Sequence, residues 1–352
     1  PDYKSDLFSA FVVKCTKMAK LEGYLGFLTP YVWMFIQSYE KMRNYIYSTR
    51  TIETLIQFEY SAFEEATVPI CTFVLKNSKV RKNGAYLRLT EFRGGMEVQR
   101  QKALEAISNH KCGFYYESNA ENFSKIPGSP VAYWVSEKIF DLYINYPALG
   151  SIASPRKGNS TSNNDRFLRR WFEVNKQKMN LHCEKLTIET TLKKRWFPYN
   201  KGGGYRKWYG FNEYLIDWYN DAAEIRKIKT AVIANYQYFM KPGLTWSTLT
   251  SGNFSIRWFD EGFIFDNGGC CIFDLGNKRK YLCALLNSKV FAYIFSQLNP
   301  TLNFQSGEVA KFPIKYIKCE QVDDLAYENV QISKEEYDCF ETSWDFERHP
   351  LV

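Results

Sequence analysis

Histidine is scarce. The 352 residues hold three, His110, His182 and His349, and none lies in an HxxxH setting, so a helix-borne zinc site has no scaffold here and each reads as a surface or satisfied histidine. The nine cysteines form no CxxC pair and no metal-like Cys/His spacing. A chain of this length needs no disulfide staples, which points to reduced thiols and a cytoplasmic protein without metal. Also missing are a GxSxG elbow, an internal repeat, a low-complexity tract and an apolar run long enough to span a membrane. The first helical stretch, Asp6 to Leu21, is interrupted by Lys14, Lys17 and Lys20 and is too charged for a signal peptide or anchor. The single glycine run, Gly202-Gly203-Gly204, follows Asn200-Lys201 without the strand-then-helix setting of a phosphate loop and reads as a turn. Asp323-Asp324 and Glu335-Glu336 read as solvated acidic pairs.

Aromatic residues are abundant. They make up 17% of the chain, the net charge is +8, and the second half interleaves rings with Arg and Lys. Cations suit phosphates, and rings and guanidinium planes suit unstacked bases. A large aromatic core beneath a solvated basic surface explains the same composition equally well.

The length suits two domains. Ser5 is the expected N-cap of a helix whose apolar stripe is Leu7, Phe11, Cys15 and Met18, with Gly23 as its stop. Tyr24 to Thr29, closed by Pro30, reads as a strand buried on both faces. Phe35, Tyr39, Met42 and Ile46 follow at helical spacing, then a strand in which Ile52, Thr54, Ile56 and Phe58 alternate with their neighbours, a loop from Tyr60 to Thr67, and a strand from Val68 to Leu75. This is half of an α/β domain, because its helices need a wider sheet to cover. Lys79, Arg81, Lys82 and Gly84 form a basic turn, Gln99 to Ile107 reads as a small helix, and Ile126-Pro127-Gly128-Ser129-Pro130 punctuates the chain before a helix from Ser136 to Tyr143. Past the polar loop Asn159 to Asn164, short aromatic strands alternate with Gly and Asn turns in an α+β region reaching about residue 318. Adjacent Cys270 and Cys271, at the end of an apolar strand, read as packing residues.

Several blocks carry a resemblance. Ser5-Asp6-Leu7-Phe8-Ser9-Ala10-Phe11, followed by Gly23-Tyr24-Leu25-Gly26-Phe27-Leu28-Thr29-Pro30, looks like the stretch just after the catalytic Asn-Pro-Pro-Tyr motif of the amino-methyltransferases of BREX phage-defence systems (PglX type) and the related single-chain restriction-modification enzymes. Ser38-Tyr39-Glu40-Lys41-Met42-Arg43 and Ala62-Phe63-Glu64-Glu65-Ala66-Thr67-Val68 look like later blocks of the same domain. Ile126-Pro127-Gly128-Ser129-Pro130-Val131-Ala132-Tyr133-Trp134, Asn164-Asp165-Arg166-Phe167, Lys207-Trp208-Tyr209-Gly210 and Asn299-Pro300-Thr301-Leu302-Asn303-Phe304-Gln305 resemble that family's target-recognition segments.

The resemblance implies an α/β, partial Rossmann-like methyltransferase domain followed by an α+β target-recognition domain. Residues 1–76 are the expected end of the catalytic domain, 77–135 a connector or insertion, 136–318 the recognition domain, and 319–352 a tail leading into a further C-terminal region. The implied activity is adenine-N6 methylation of double-stranded DNA with S-adenosylmethionine in the parent protein. The adenine must leave the helix and stack between rings to present its amine. Phe63 matches the family's base-stacking aromatic; its competing role is a core residue at the sheet edge.

Departures from the pattern are equally informative. The glycine-rich donor-binding motif and the Asn/Asp-Pro-Pro-aromatic acceptor motif do not occur. Asn299-Pro300-Thr301 lacks the second proline and the aromatic and is a decoy. The chain therefore looks like an internal segment, with no catalytic or cofactor-binding residue of its own, no cofactor in isolation, and the N-terminal catalytic portion of the same polypeptide as its partner. Other phage-defence proteins are further candidate partners, and a stand-alone DNA-binding specificity module is the alternative. For DNA contact the candidates are Arg166, Arg169 and Arg170 around Trp171, then Lys201, Arg206, Lys207 and Trp208 among Tyr205 and Tyr209, and Gln305 in a polar turn. A solvated basic face beside core rings competes for each of them.

Overall fold

The computed structural model describes residues 3, 6–60, 62, 68–250, 252–298 and 303–352. The chain divides into two compact units, Pro1–Asn145 and Tyr146–Val352, and is a mixed α/β protein with three sheets. No helix among the described residues is long and apolar enough to cross a membrane.

The first unit contains α1 (Leu7–Met18), β1 (Tyr24–Pro30), α2 (Glu40–Thr49), β2 (Thr51–Gln57), β3 (Ile70–Lys76), β4 (Gly84–Arg88), α3 (Gly95–Ser108), β5 (Tyr115–Ser118) and α4 (Glu137–Asn145). Its five strands form one sheet in the order β1-β3-β2-β4-β5. Strands β1, β2 and β4 run parallel to one another, while β3 and β5 are antiparallel to their neighbours. Residues 77–135, read from the sequence as a connector, thus build the far half of this same sheet through β4 and β5.

Local chemistry departs from the sequence expectations in four places. Asp6 caps α1 through its carboxylate, while Ser5 lies outside the described residues. The stripe expected to be buried is the one left open: Leu7, Phe11 and Met18 are 71%, 55% and 75% exposed, and α1 instead buries Ser9, Val12, Val13 and Thr16. β1 is likewise not buried on both faces, for it is the sheet's outer strand and exposes Tyr24 and Leu28. In β2 an irregularity between Ile52 and Thr54 shifts the register. The alternation breaks there, so that Ile52 and Leu55 point into the core and Thr54 faces solvent.

The second unit contains α5 (Leu149–Ile152), β6 (Ser154–Arg156), α6 (Asn164–Phe167), β7 (Leu168–Arg170), α7 (Ile188–Lys193), β8 (Trp196–Asn200), β9 (Tyr214–Asp217), α8 (Tyr219–Arg226), β10 (Gly243–Ser247), β11 (Ile256–Phe259), β12 (Ile264–Phe265), β13 (Gly269–Phe273), α9 (Arg279–Leu286), α10 (Lys289–Leu298), α11 (Ser306–Ala310) and α12 (Glu320–Asp338). Two four-stranded sheets are formed, β11-β10-β13-β6 and β12-β8-β9-β7. Every residue of β8, β10 and β13 is buried, and the shared core is aromatic, with Phe167, Phe197, Tyr199, Trp218, Phe259, Phe265 and Phe273 packed together. Many of the rings that composition left open between core and ligand therefore belong to the core. Cys270 and Cys271 are fully buried in β13 as packing residues, and α12 lies against α9.

The first unit also buries a charge completely. Arg43 of α2 is 0% exposed, and its guanidinium donates to the carbonyls of Trp33 (2.6 Å), Ile36 (2.8 Å) and Gly128 (2.6 Å from Nη2, 3.2 Å from Nε). It ties the turn after β1, the start of α2 and the Pro127-Gly128-Ser129 loop into one body. Three carbonyls lose their donors if it is removed, and each unmet buried acceptor costs on the order of 1–3 kcal/mol. We expect Arg43→Met to lower the unit's stability in urea by roughly 3 kcal/mol or more. Arg43→Lys should not restore it, because one ammonium cannot reproduce the planar fork.

Candidate nucleic-acid interface

The basic residues singled out in the sequence fall into separate settings. Asn163 accepts the Arg166 N–H and starts the short helix α6, which delivers Arg166 to the surface and Arg169 and Arg170 onto the outer strand β7. Arg169, Arg170 and Lys201 come together, lining a cavity of about 380 Å³ with Asn164, Asp165, Glu173 and Tyr214. The exposed guanidinium of Arg166 pairs with Glu224 at 2.8 Å. Arg169 donates to the carbonyls of Asp165 and Leu168 at 2.7 and 2.6 Å. Arg170 pairs with Glu213 and lies 4.5 Å from the Tyr214 ring centre.

Lys201, Arg206, Lys207 and Trp208 belong to a loop that is anchored residue by residue. The Lys201 ammonium meets Asp266 at 3.0 Å. Asp266 is itself buried and also accepts the Tyr199 hydroxyl at 2.8 Å and the Gly268 N–H at 2.6 Å. Burial and the adjacent carboxylate push the Tyr199 hydroxyl well above its ordinary pKa, so it remains a neutral donor. Arg206 pairs with Glu336 of α12, donates to the Tyr209 carbonyl at 2.7 Å and stacks 5.1 Å from the Tyr337 ring. Lys207 donates to the Asn287 carbonyl at 2.7 Å. Trp208, at φ +70°, is paired through its backbone with Ile256 and Trp258 beside β11. Gln305 stands apart from both groups, exposed, with its amide on Asn303 at 2.6 Å.

The glycine run in this loop does not fit the methyl donor. A Cβ on Gly202, whose φ is +86°, would sit 2.3 Å from the Gly268 carbonyl, and one on Gly203 would sit 2.9 Å from the Phe211 ring. The glycines are there for close packing of chain on chain, and no open cradle for a ligand is formed. Phe63 and Asn299-Pro300-Thr301 lie outside the described residues.

Two arginines of structural consequence carried no signal in the sequence. Arg257 is 1% exposed, with its guanidinium 4.9 Å from the Phe211 ring and its Nε and Nη1 without partners among the described residues. Burial pulls its pKa down to about 10. Arg279 lies 3.3 Å from the Trp258 ring centre and donates to the carbonyls of Gly243 and Phe259. Arg257 sits in no basic cluster, so charge counting passes over it, and Arg279 lies in Lys278-Arg279-Lys280, a run without the interleaved rings that marked the other candidates.

Residues 1–63 match the family of the Eco57I restriction-modification methylase. Among solved structures, the Type IIL restriction-modification enzyme MmeI, determined in complex with DNA, superposes with a TM-score of 0.56 over 97% of this chain and 46% of its own, at 12% identity. The architecture is thus that of a restriction-modification enzyme. More particularly, the resemblance to PglX-type adenine-specific methyltransferases holds over the whole chain. It is 35% identical over 366 residues to the adenine-specific methyltransferase PglX of Lacticaseibacillus casei (strain Zhang) and 34% identical over 360 residues to the adenine-specific methyltransferase BrxX of Escherichia coli O9:H4 (strain HS). It spans 30% and 28% of the lengths of these two relatives.

The Asp266 carboxylate fixes the loop that carries half of the candidate contacts. Asp266→Ala should cost about 3 kcal/mol of stability in the second unit, measured by urea denaturation followed by tryptophan fluorescence. Lys201→Met should cost less than half as much, because Tyr199 and Gly268 still satisfy the acid.

Proposed function

We propose that this chain is a segment of an S-adenosylmethionine-dependent adenine-N6 DNA methyltransferase of the phage-defence and restriction-modification kind, supplying DNA target recognition and part of the active site. The observation that carries the reading is the full-length match to about a third of two adenine-specific methyltransferases. The first unit is read as the final part of a Rossmann-like methyltransferase domain, with Phe63 stacking the extruded adenine, and the second as the target-recognition domain. The open apolar stripe of α1 and the exposed outer face of β1 support this, since an apolar surface on an outer strand needs a covering element. We assign that cover to the catalytic portion of the same polypeptide that binds the donor and carries the acceptor motif.

For recognition, the cleft lined by Arg169, Arg170 and Lys201, with Arg166 on the adjoining helix α6, is the first surface we assign to the DNA backbone. Guanidinium groups already oriented by carboxylates and rings pay little to order when phosphate replaces the carboxylate. Arg206, Lys207, Trp208 and Gln305 are assigned to positioning or contact at the flanks.

Two measurements test the reading. The purified chain, given labelled S-adenosylmethionine and duplex DNA, should transfer no methyl group, and transfer would overturn the assignment of donor binding to another part of the protein. The same chain should bind duplex DNA at low salt with an affinity that falls steeply as salt rises, by about 0.9 log unit per log unit of salt for each phosphate neutralised. Changing Arg166, Arg169, Lys201 and Arg206 together to Ala should flatten that dependence. Absent or salt-insensitive binding would overturn the recognition role.

A further inference from the structure

One half-buried arginine of the first unit, Arg88, has no carboxylate or carbonyl partner among the described residues. Strands β1, β2 and β4 are parallel, so their carboxyl ends, Pro30, Gln57 and Arg88, lie along one edge of the sheet. Ligands of open α/β sheets bind outside that edge. Here the edge is furnished with rings around a charge. The Arg88 guanidinium lies 4.7 Å from the centre of the Trp134 ring. Trp134 is held edge-on by Tyr133 (4.9 Å, 87°) and packs on Phe35 (5.8 Å), which meets Tyr31 edge-on at 6.0 Å. Behind them Tyr133 donates its hydroxyl to the Gln57 side chain at 3.1 Å. Burial raises the Tyr31 pKa, with the Arg88 charge and the Gln57 amide opposing the rise, so the phenol stays a neutral donor within the field of the cation.

Arg88 differs from the other half-buried arginines of the molecule; Arg257, which also leaves donors without partners among the described residues, is 1% exposed and closed to a ligand, and Arg93 and Arg348 are exposed. Arg100, Arg166, Arg170, Arg195, Arg206 and Arg226 all pair with carboxylates, and Arg43 is spent on backbone carbonyls. Arg88 has neither kind of partner among the described residues, and its Nε is buried without an acceptor. Stacking on an indole is worth about 0.5–2 kcal/mol and fixes the plane of the guanidinium, yet it satisfies none of the donors. A half-buried fork with open donors, oriented by a ring that is itself wedged in place, is an arrangement that an incoming oxyanion completes.

We propose that Arg88, stacked on Trp134 and flanked by Tyr31, is a phosphate-binding residue that holds a phosphodiester of the DNA strand at the carboxyl edge of the first unit's sheet. This rests on the reading of the chain as DNA-binding, and it adds a contact outside the recognition region. Its role is to clamp the backbone on the side where the strand ends gather, independently of base sequence.

The test is fluorescence anisotropy of the full chain with a labelled duplex over a range of salt, for the wild type, Arg88→Ala, Arg88→Lys and Arg169→Ala. Arg88→Ala should weaken binding about tenfold at low salt and reduce the slope of log affinity against log salt by about 1, equally for unrelated DNA sequences. Arg88→Lys should keep the slope. Arg88→Gln, which retains length without charge, replaces Arg88→Ala if thermal unfolding shows that the latter is misfolded. An unchanged slope in the folded neutral variant, alongside a reduced slope in Arg169→Ala, overturns the Arg88 assignment and leaves the proposed function standing. No binding by the wild type at low salt overturns both.

Discussion

The second unit turns on the buried carboxylate of Asp266. Asp266 follows β12, which belongs to one sheet, and precedes β13, which belongs to the other, so the chain changes sheets at this residue. A corner of that kind leaves backbone donors without ladder partners. Asp266 takes up one of them, the Gly268 N–H, and gathers the Tyr199 hydroxyl and the Lys201 ammonium at the same point. The loop after β8 therefore leaves the sheet in a fixed direction. Gly202, Gly268 and Gly269 then allow the two chain segments to approach more closely than any side chain permits. The positions of Arg206, Lys207 and Trp208 follow from this closure, and α12 seals the loop from outside through Glu336 and Tyr337.

The first unit solves a related problem with a cation. Arg43 gathers carbonyls from two segments outside the strands, the turn after β1 at Trp33 and Ile36 and the loop at Gly128, and that loop leads directly into Val131, Ala132 and Tyr133 of the core. Trp134, the next residue, is thereby presented to Arg88. In both units an ordered irregular segment depends on one buried charge rather than on regular secondary structure.

How much of this was legible beforehand depends on the range over which each signal acts. Element types along the first unit followed from periodicity and capping residues, and the packing role of Cys270 and Cys271 followed from their apolar setting. Burial was misread where it depends on sheet order: the Leu7, Phe11, Met18 stripe is apolar at helical spacing, yet it is open because β1 is an outer strand. Nor could spacing announce that residues 77–135 join the same sheet, since β4 pairs in parallel with β2 although β3 comes between them in the chain. Among the site residues, clustering of charge picked out Arg166 to Arg170 and Lys201 to Lys207. It passed over Arg88, which stands alone in the sequence and whose open donors are visible only in the folded unit. The family resemblance was carried by contiguous blocks, which survive divergence better than pairwise contacts do.

Under the proposed function, the internal ion pairs of the second unit bear on discrimination among DNA sites. Glu224, Glu213 and Glu336 occupy the guanidinium groups that phosphate would use, so they act as tethered competitors always present at high local concentration. A casual polyanion must displace them with nothing gained in exchange, whereas a site that also makes base contacts recovers the difference. Under the proposed DNA-binding role, the carboxylates raise the threshold for loose attachment more than for a complex that also makes base contacts.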